Sequence, residues 1–404
     1  MHRIEAELMI PGQGEPVRNA AVILDGPTIS YAGPAAGAPA APDATVTRAA
    51  TVMPGLWDAH VHLLGVRSLD LSLVPQLPVA LRAARTTTDL RAALDAGVTS
   101  VREVGGLGVH LARAVAEGSI EGPAIYAAGA VLSTTGGHGD LHGYPLPWVA
   151  EVGDFRLADG PAECARAVRE QLRNDAKVIK VCASGGVLSE VDHPIHQQFT
   201  LAELTTIVEV AGMAERVVAA HCHGKPGIMA ALEAGVRTIE HGTYLDEEAA
   251  DAMRECGAIL VPTRTIVQEI VDSGAAPAFA VAKLAAIAER HADTVALARE
   301  AGVTVVMGTD LSVSGSDLPA SWGRHGRELS LLVEAGFSPL EAIEAATAAA
   351  PATLGPQAPR SGLLAPGYDA DVLVLDADPL ADIAVLAQPA HITGVWRAGR
   401  RVKG

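Results

Sequence analysis

The chain has 404 residues, 49% apolar but only 3% aromatic, so alanine, valine and leucine must fill a core large enough for two domains or one α/β barrel with an appendage. A formal charge of −17 and a pI near 5.2 exclude nucleic acid and anionic membrane surfaces as natural partners, since both would repel it. Cys164, Cys182, Cys222 and Cys256 form no CxxC pair, no apolar signal segment opens the chain, and no charge-free run of about 18 apolar residues occurs, so a soluble cytoplasmic protein with reduced thiols is expected.

Residues 1–52 read as short strands and turns, with Ala20–Leu24, an Asp25-Gly26 turn and Thr28–Tyr31, then an aperiodic loop over Ala32–Ala41. From Met53 the texture changes, and short apolar runs alternate with helical patterns. The predicted strands are Gly55–Leu63, Val98–Arg102, Ala124–Ala130, Val178–Ser184, Val217–His223, Thr238–Gly242, Ala258–Thr263 and Val303–Asp310. Predicted helices lie at Thr88–Ala96, Gly108–Glu117, Ala162–Asp175, Leu201–Arg216, Gly227–Ala234, Asp246–Cys256 and Ala278–Ala301, and Gly97, Gly118, Gly235, Gly257 and Gly302 stand at C-cap positions. Long loops over Val131–Pro161 and Gly185–Phe199 carry Gly and His, a composition that favours function. After a helical pattern over Ser338–Ala350, strand texture returns at Ala370–Leu375, Ile392–Trp396 and Arg400–Val402. The pattern predicts an α/β protein: a (β/α)8 TIM barrel over residues 53–352, with a small β-sandwich formed by both chain termini, 1–52 and 353–404.

Ten of the 14 histidines fall at the C-terminal end of a predicted strand or in the loop after it, the face on which barrel enzymes build their sites. His60 and His62, two apart at the end of one strand, project to the same side and can converge on one metal ion. Taken singly, His221, His241 and Asp310 read as ordinary polar residues; with His60 and His62 they place four imidazoles and a carboxylate at the same ends of several strands. That donor set suits zinc and related divalent ions. Lys180, inside the apolar run Val178–Val181, reads either as a buried ion pair or a snorkelling lysine, or as a carbamate able to bridge two cations.

The motifs Pro54-Gly55-Leu56-Trp57-Asp58-Ala59-His60-Val61-His62, Gly97–Gly106, Thr135-Gly136-Gly137-His138-Gly139-Asp140, Ile179–Gly186, Ala219-Ala220-His221-Cys222-His223-Gly224, Ile239-Glu240-His241-Gly242-Thr243, Gly308-Thr309-Asp310 and Leu364–Asp371 occur in this order. The chain resembles the amidohydrolase superfamily in them, specifically its imidazolonepropionase-like and metal-dependent dipeptidase branch. The resemblance implies two divalent cations, zinc by expectation: one on His60, His62 and Asp310, the other on His221 and His241, bridged by carbamylated Lys180 and a hydroxide that attacks an amide. It implies Asp310 as the proton carrier, and His138 and His223 as donors to an oxyanion or a substrate carboxylate. His223 stands where dipeptidase relatives carry tyrosine, and Ser312–Asp317 departs from the branch pattern, so the substrate pocket is expected to differ.

Metal-dependent deaminases share much of this pattern but carry a glutamate three residues after the strand 5 histidine, where Gly224 stands here. No serine has a G-x-S-x-G setting, and Gly106-Leu107-Gly108 lacks the third glycine of a dinucleotide fingerprint, Leu111 taking its place. A non-catalytic scaffold is disfavoured because every expected ligand is present. The expected activity is amide hydrolysis, with the overall sequence resembling amidohydrolases of bottromycin-type biosynthesis that remove a C-terminal follower peptide beside an azoline. The alternatives are an Xaa-Pro or Xaa-Arg dipeptidase and a cyclic amide hydrolase like imidazolonepropionase. The partner is a peptide or small amide, and homo-oligomerisation stays open.

Overall fold

A computed structural model describes residues 1–404. The chain opens with β1 (His2–Met9), β2 (Val17–Asp25), β3 (Thr28–Pro34) and β4 (Thr45–Pro54). The central strands are β5 (Leu56–Val66), β6 (Val98–Glu103), β7 (Ala124–Ala127), β8 (Val131–Ser133), β9 (Phe155–Leu157), β10 (Ile179–Cys182), β11 (Val218–Cys222), β12 (Thr238–His241), β13 (Ile259–Val261), β14 (Thr304–Val305) and β15 (Leu311–Val313). β16 (Val372–Leu375), β17 (Ile392–Arg397) and β18 (Arg400–Lys403) complete the set.

Strands from both ends of the chain share one seven-stranded sheet, ordered β18-β17-β16-β4-β1-β2-β3. β4 is its hinge between the two ends: it runs parallel to β1 and antiparallel to β16. Ile4, Val22, Ile29, Val52, Val372 and Trp396 form its apolar core.

The central strands form two parallel sheets, β14-β13-β12-β11-β10-β8-β9 and β15-β5-β6-β7. The ladders stop inside two stretches that sequence periodicity reads as single strands. β7 and β8 are parted by residues 128–130, where Gly129 has φ +77°, and β14 and β15 by residues 306–310, where Asp310 has φ +61°. Backbone hydrogen bonds nevertheless cross both gaps: Lys177 N to Ala127 O at 2.8 Å, Ala59 N to Met307 O at 2.9 Å and Asp310 N to His60 O at 2.7 Å. No helix is long and apolar enough to cross a membrane.

Several local expectations need correction. The first helix after β5 starts at Val79, well before Thr88, and helices Arg264–Ser273 and Arg327–Glu334 lie outside the expected set. The stretch Val131–Pro161 is not a loop, since it contains β8, helix Leu146–Val152 and β9. β3 reaches Pro34, into the expected loop. His60 and His62 lie within β5, which continues to Val66, and not at its end. The five C-terminal glycines do have left-handed φ, between +68° and +88°, the conformation that ends a helix at least cost when no Cβ is present.

The helices pack their apolar faces on the outside of the central sheets, in a cluster that includes Val61, Val101, Val181, Ala220, Ile239 and Leu260. A smaller cluster, with Trp57, Ala219, Ile259, Val261, Val306 and Leu354, uses the opposite side chains of the same strands. Ala219 and His221 share strand parity, so this apolar cluster is the layer beneath the histidines.

Candidate active site

All eight residues singled out from the sequence line one cavity of about 980 Å³, its open mouth included: His60, His62, His138, Lys180, His221, His223, His241 and Asp310. Strand parity puts most of them there, with Lys180 and Cys182, or His221 and His223, two residues apart on one face. His241 and Asp310 break the rule. In β12 the inward face belongs to Thr238 and Glu240, both of which contact Arg102, so regular alternation would turn His241 outward. Its φ of +68° turns it back, and φ +61° does the same for Asp310. Such backbone is costly for residues with a Cβ, of order 1 kcal/mol or more each, and persists where its surroundings enforce it.

The imidazoles are oriented from behind. His60 Nδ1 lies 2.6 Å from Glu240 Oε2, His62 Nδ1 2.8 Å from Gly105 O, His241 Nδ1 2.7 Å from Thr263 Oγ1 and His223 Nδ1 2.9 Å from Thr243 Oγ1. Each therefore keeps Nε2 for the cavity, as histidines that bind metals do. His221 is reversed, with Nε2 3.1 Å from Gly185 O.

Two groups have ligand atoms within 4.8 Å of one another: His221, His223 and His241, and His60, His241 and Asp310. His62 Nε2 is 3.2 Å from Asp310 Oδ1, and Lys180 Nζ is 3.4 Å from His60 Nε2. The donor chemistry thus fits divalent cations. His223, read from sequence as a substrate contact, sits inside a group that can hold a metal, whereas His62 and Lys180 flank the groups.

Electrostatics agree with that fit. Burial, then the Lys180 charge, lowers His60 to about 4. Burial and the neighbouring imidazoles hold His221, His223 and His241 well below the usual histidine range. Neutral imidazole is the ligand form. Burial also lowers the Lys180 amine, favouring the neutral base. Burial alone would raise Asp310, but the proximity of His60, the hydrogen bond from His62 and the nearness of Lys180 outweigh it and lower its pKa, so the carboxylate is ionised.

Supporting residues escaped the sequence reading. Glu240 and Arg102 are fully buried, with Arg102 Nη2 at 2.7 and 2.8 Å from the two Glu240 oxygens. Asp58 joins the first and last strands of the site: it accepts from His60 N at 3.1 Å, Thr309 N at 3.0 Å and Thr309 Oγ1 at 2.5 Å. His325 Nδ1 lies 2.7 Å from the same carboxylate. Thr263 is committed to His241 and gives no cap to helix Arg264–Ser273; Glu328 accepts instead from Arg264 N and Thr265 N, at 2.9 and 2.6 Å. Of the other histidines at strand ends, His142 accepts from Val191 N at 3.3 Å, and His193 and His196 pair with each other at 5.3 Å, off the cavity wall.

Imidazoles, a lysine and a carboxylate gathered at the C-terminal side of parallel strands are a donor set that could hold metal ions, the arrangement of a hydrolase site. Residues 51–402 match the amidohydrolase family, and the chain belongs to that family as an enzyme that hydrolyses amide carbon–nitrogen bonds. It is similar to ochratoxinase of Aspergillus niger, with 41% identity over 422 aligned residues covering 99% of this chain and 86% of that protein. The crystal structure of A. niger ochratoxinase superposes with a TM-score of 0.92 over 100% of this chain and 95% of that one. A prolidase complexed with N-methylphosphonate-L-proline is 33% identical, with a TM-score of 0.91 over 100% and 99% of the two chains. Imidazolonepropionase of Salinispora tropica is 28% identical, covering 95% of this chain and 89% of that protein.

Proposed function

We propose that the enzyme hydrolyses a small amide whose acyl or amine part is bulky and apolar, an N-acylated amino acid or a dipeptide. The carrying observation is the His/Lys/Asp cluster lying in the same cavity as Leu64, Phe155, Leu188, Ile266, Ile270 and Leu284. His60, His62 and Asp310 would hold one divalent cation and His221 and His241 a second, with Lys180 as a carbamate between them; zinc suits the donors. When bound, such ions lower the pKa of a water molecule and polarise the scissile carbonyl. Asp310 takes the proton released as the water oxygen adds to the carbonyl carbon, and delivers it to the leaving nitrogen as the C–N bond breaks. The Asp58 carboxylate and the bond from Asp310 N to His60 O fix the backbone that aims it. His138 and His223 meet the polar atoms of the substrate.

The likeness to ochratoxinase and to a prolidase supports small amides. The follower peptide of a bottromycin-type precursor, the substrate expected from sequence, has no observation in its favour. We also infer that β7 with β8, and β14 with β15, are interrupted single strands, so that residues 53–352 form a (β/α)8 barrel, and that residues 1–52 and 353–404 together make one terminal β domain, whose strands lie in a single seven-stranded sheet where a two-sheet sandwich was expected. The test is to load the purified enzyme with zinc, count ions by elemental analysis, and incubate it with ochratoxin, Xaa-Pro dipeptides, an imidazolone and an azoline peptide, following products by mass spectrometry. Turnover of the apolar amides supports the proposal; cleavage of the azoline peptide alone, or no cleavage and no bound metal, overturns it.

A further inference from the structure

The loop Gly185–Phe199 is fastened beside the cavity by a largely buried charge. Lys283, on the helix Val281–Glu300, places Nζ 3.3 Å from Gly186 O, 2.7 Å from Ser189 O, 2.5 Å from Asp192 O and 3.5 Å from Asp192 Oδ1. The Asp192 side chain, 5% exposed, is saturated with donors. Gly186 N and Gln198 Nε2 donate to Oδ2 at 2.9 and 3.1 Å, and Ser189 Oγ donates to Oδ1. The same helix contributes Leu284 to the cavity that holds Val187 and Leu188 of the loop.

One cavity residue hangs on this arrangement. His138 Nδ1 is 2.8 Å from Ser189 Oγ. A serine hydroxyl has a single hydrogen, and here an ionised carboxylate that can only accept claims it. Ser189 Oγ must therefore accept from His138, and the proton of a neutral His138 lies on Nδ1. Its other nitrogen, Nε2, makes no hydrogen bond to the protein. Two more contacts hold the residue, one at its backbone and one at its ring. Gln198 Oε1 accepts from His138 N at 3.0 Å, and Gly186 lies so close that an added Cβ would stand 2.1 Å from Cε1 and 2.2 Å from Nδ1. The ring also stacks on His221, with centroids 4.3 Å apart.

We propose that Ser189, Asp192 and Lys283 are positioning residues that lock His138 in the Nδ1–H tautomer, so that it meets the substrate or the reacting water as a hydrogen-bond acceptor through Nε2. This reverses the expectation that His138 donates to an oxyanion. The tautomer holds whatever bond is cleaved; the part of the acceptor in turnover rests on the amide-hydrolase reading.

The experiment uses zinc-loaded enzyme labelled with 15N-histidine. The ring nitrogens of His138 are assigned by comparison with H138N, and long-range 1H–15N correlations show which of them carries the proton. The proton is expected on Nδ1 in the wild type and on Nε2 in S189A. On a cleaved amide, S189A and K283M should lose kcat by about 10- to 100-fold with KM little changed, and S189T should recover most of it. A wild-type proton on Nε2, or an S189A tautomer equal to wild type, overturns the lock. A switched tautomer with unchanged kcat overturns the acceptor role. Should no amide be cleaved at all, the functional reading fails while the spectra still decide the tautomer.

Discussion

Glu240→Gln exchanges one oxygen for an NH2 group, and the consequences are computable from its surroundings. The carboxylate accepts from two demanding donors, Arg102 Nη2 at 2.7 Å and His60 Nδ1 at 2.6 Å, and also from the Thr238 hydroxyl, in a site with no exposure to solvent. Burial alone would raise its pKa, but Arg102 and His60 hold it far below the ordinary range, so it is ionised. An amide has one acceptor oxygen for the two donors, and Arg102 keeps a positive charge with no counter-charge. Breaking a buried pair from one side costs about 3–5 kcal/mol, and losing the carboxylate behind a ligand histidine lowers metal affinity about 10- to 100-fold. Urea unfolding would read the first effect and zinc competition with a chelator the second. The double variant R102M/E240M removes both charges. It should regain most of the stability but none of the zinc affinity, because His60 Nδ1 still lacks its acceptor. An E240Q enzyme with wild-type stability and wild-type zinc affinity would refute the reasoning.

Asp310→Asn should reduce kcat about a hundredfold or more without moving the unfolding midpoint, as it removes the proposed proton carrier and little packing; substantial residual turnover takes Asp310 out of that role. Lys180→Ala should bind fewer than two zinc ions per chain by elemental analysis, and two retained ions would contradict a bridging carbamate. Asp89 concerns stability alone. Burial lifts its pKa from 3.8 to about 7 against the pull of Ser314 Oγ, 2.5 Å away. A raised carboxyl binds its proton more tightly folded than unfolded, so its contribution is complete below pH 3.8 and is lost as the pH rises through 7, up to about 4 kcal/mol in all. Asp89→Asn should flatten the decline of stability between pH 4 and 7; an unchanged pH profile would show that Asp89 is already ionised when folded.

The site was legible in sequence wherever strand parity governs it. His60 and His62, Lys180 and Cys182, and His221 and His223 keep the period of two, and the glycines at positions 97, 118, 235, 257 and 302 mark helix ends through a conformation that glycine adopts most cheaply. What escaped depends on contacts between distant segments. Glu240 adjoins an expected ligand, and parity alone would send one of the pair outward; only the left-handed backbone at His241 lets both serve the site. Arg102 ends a predicted strand, and nothing near it in sequence announces Glu240, the partner it meets from another strand. Strand β8 is a three-residue run whose pairing with Val181 decides its nature, and the helix Arg264–Ser273 has its cap in Glu328, far along the chain.

The place of β4 has a consequence for how the chain is made. It pairs along one edge with β1, synthesised earlier, and along the other with β16, synthesised after the whole central region. While the ribosome is still translating the central region, that second edge has no partner, and an open strand edge recruits other chains. Slow elongation or high expression should therefore favour aggregates nucleated at Thr51–Pro54, the β4 segment that β16 covers in the finished protein.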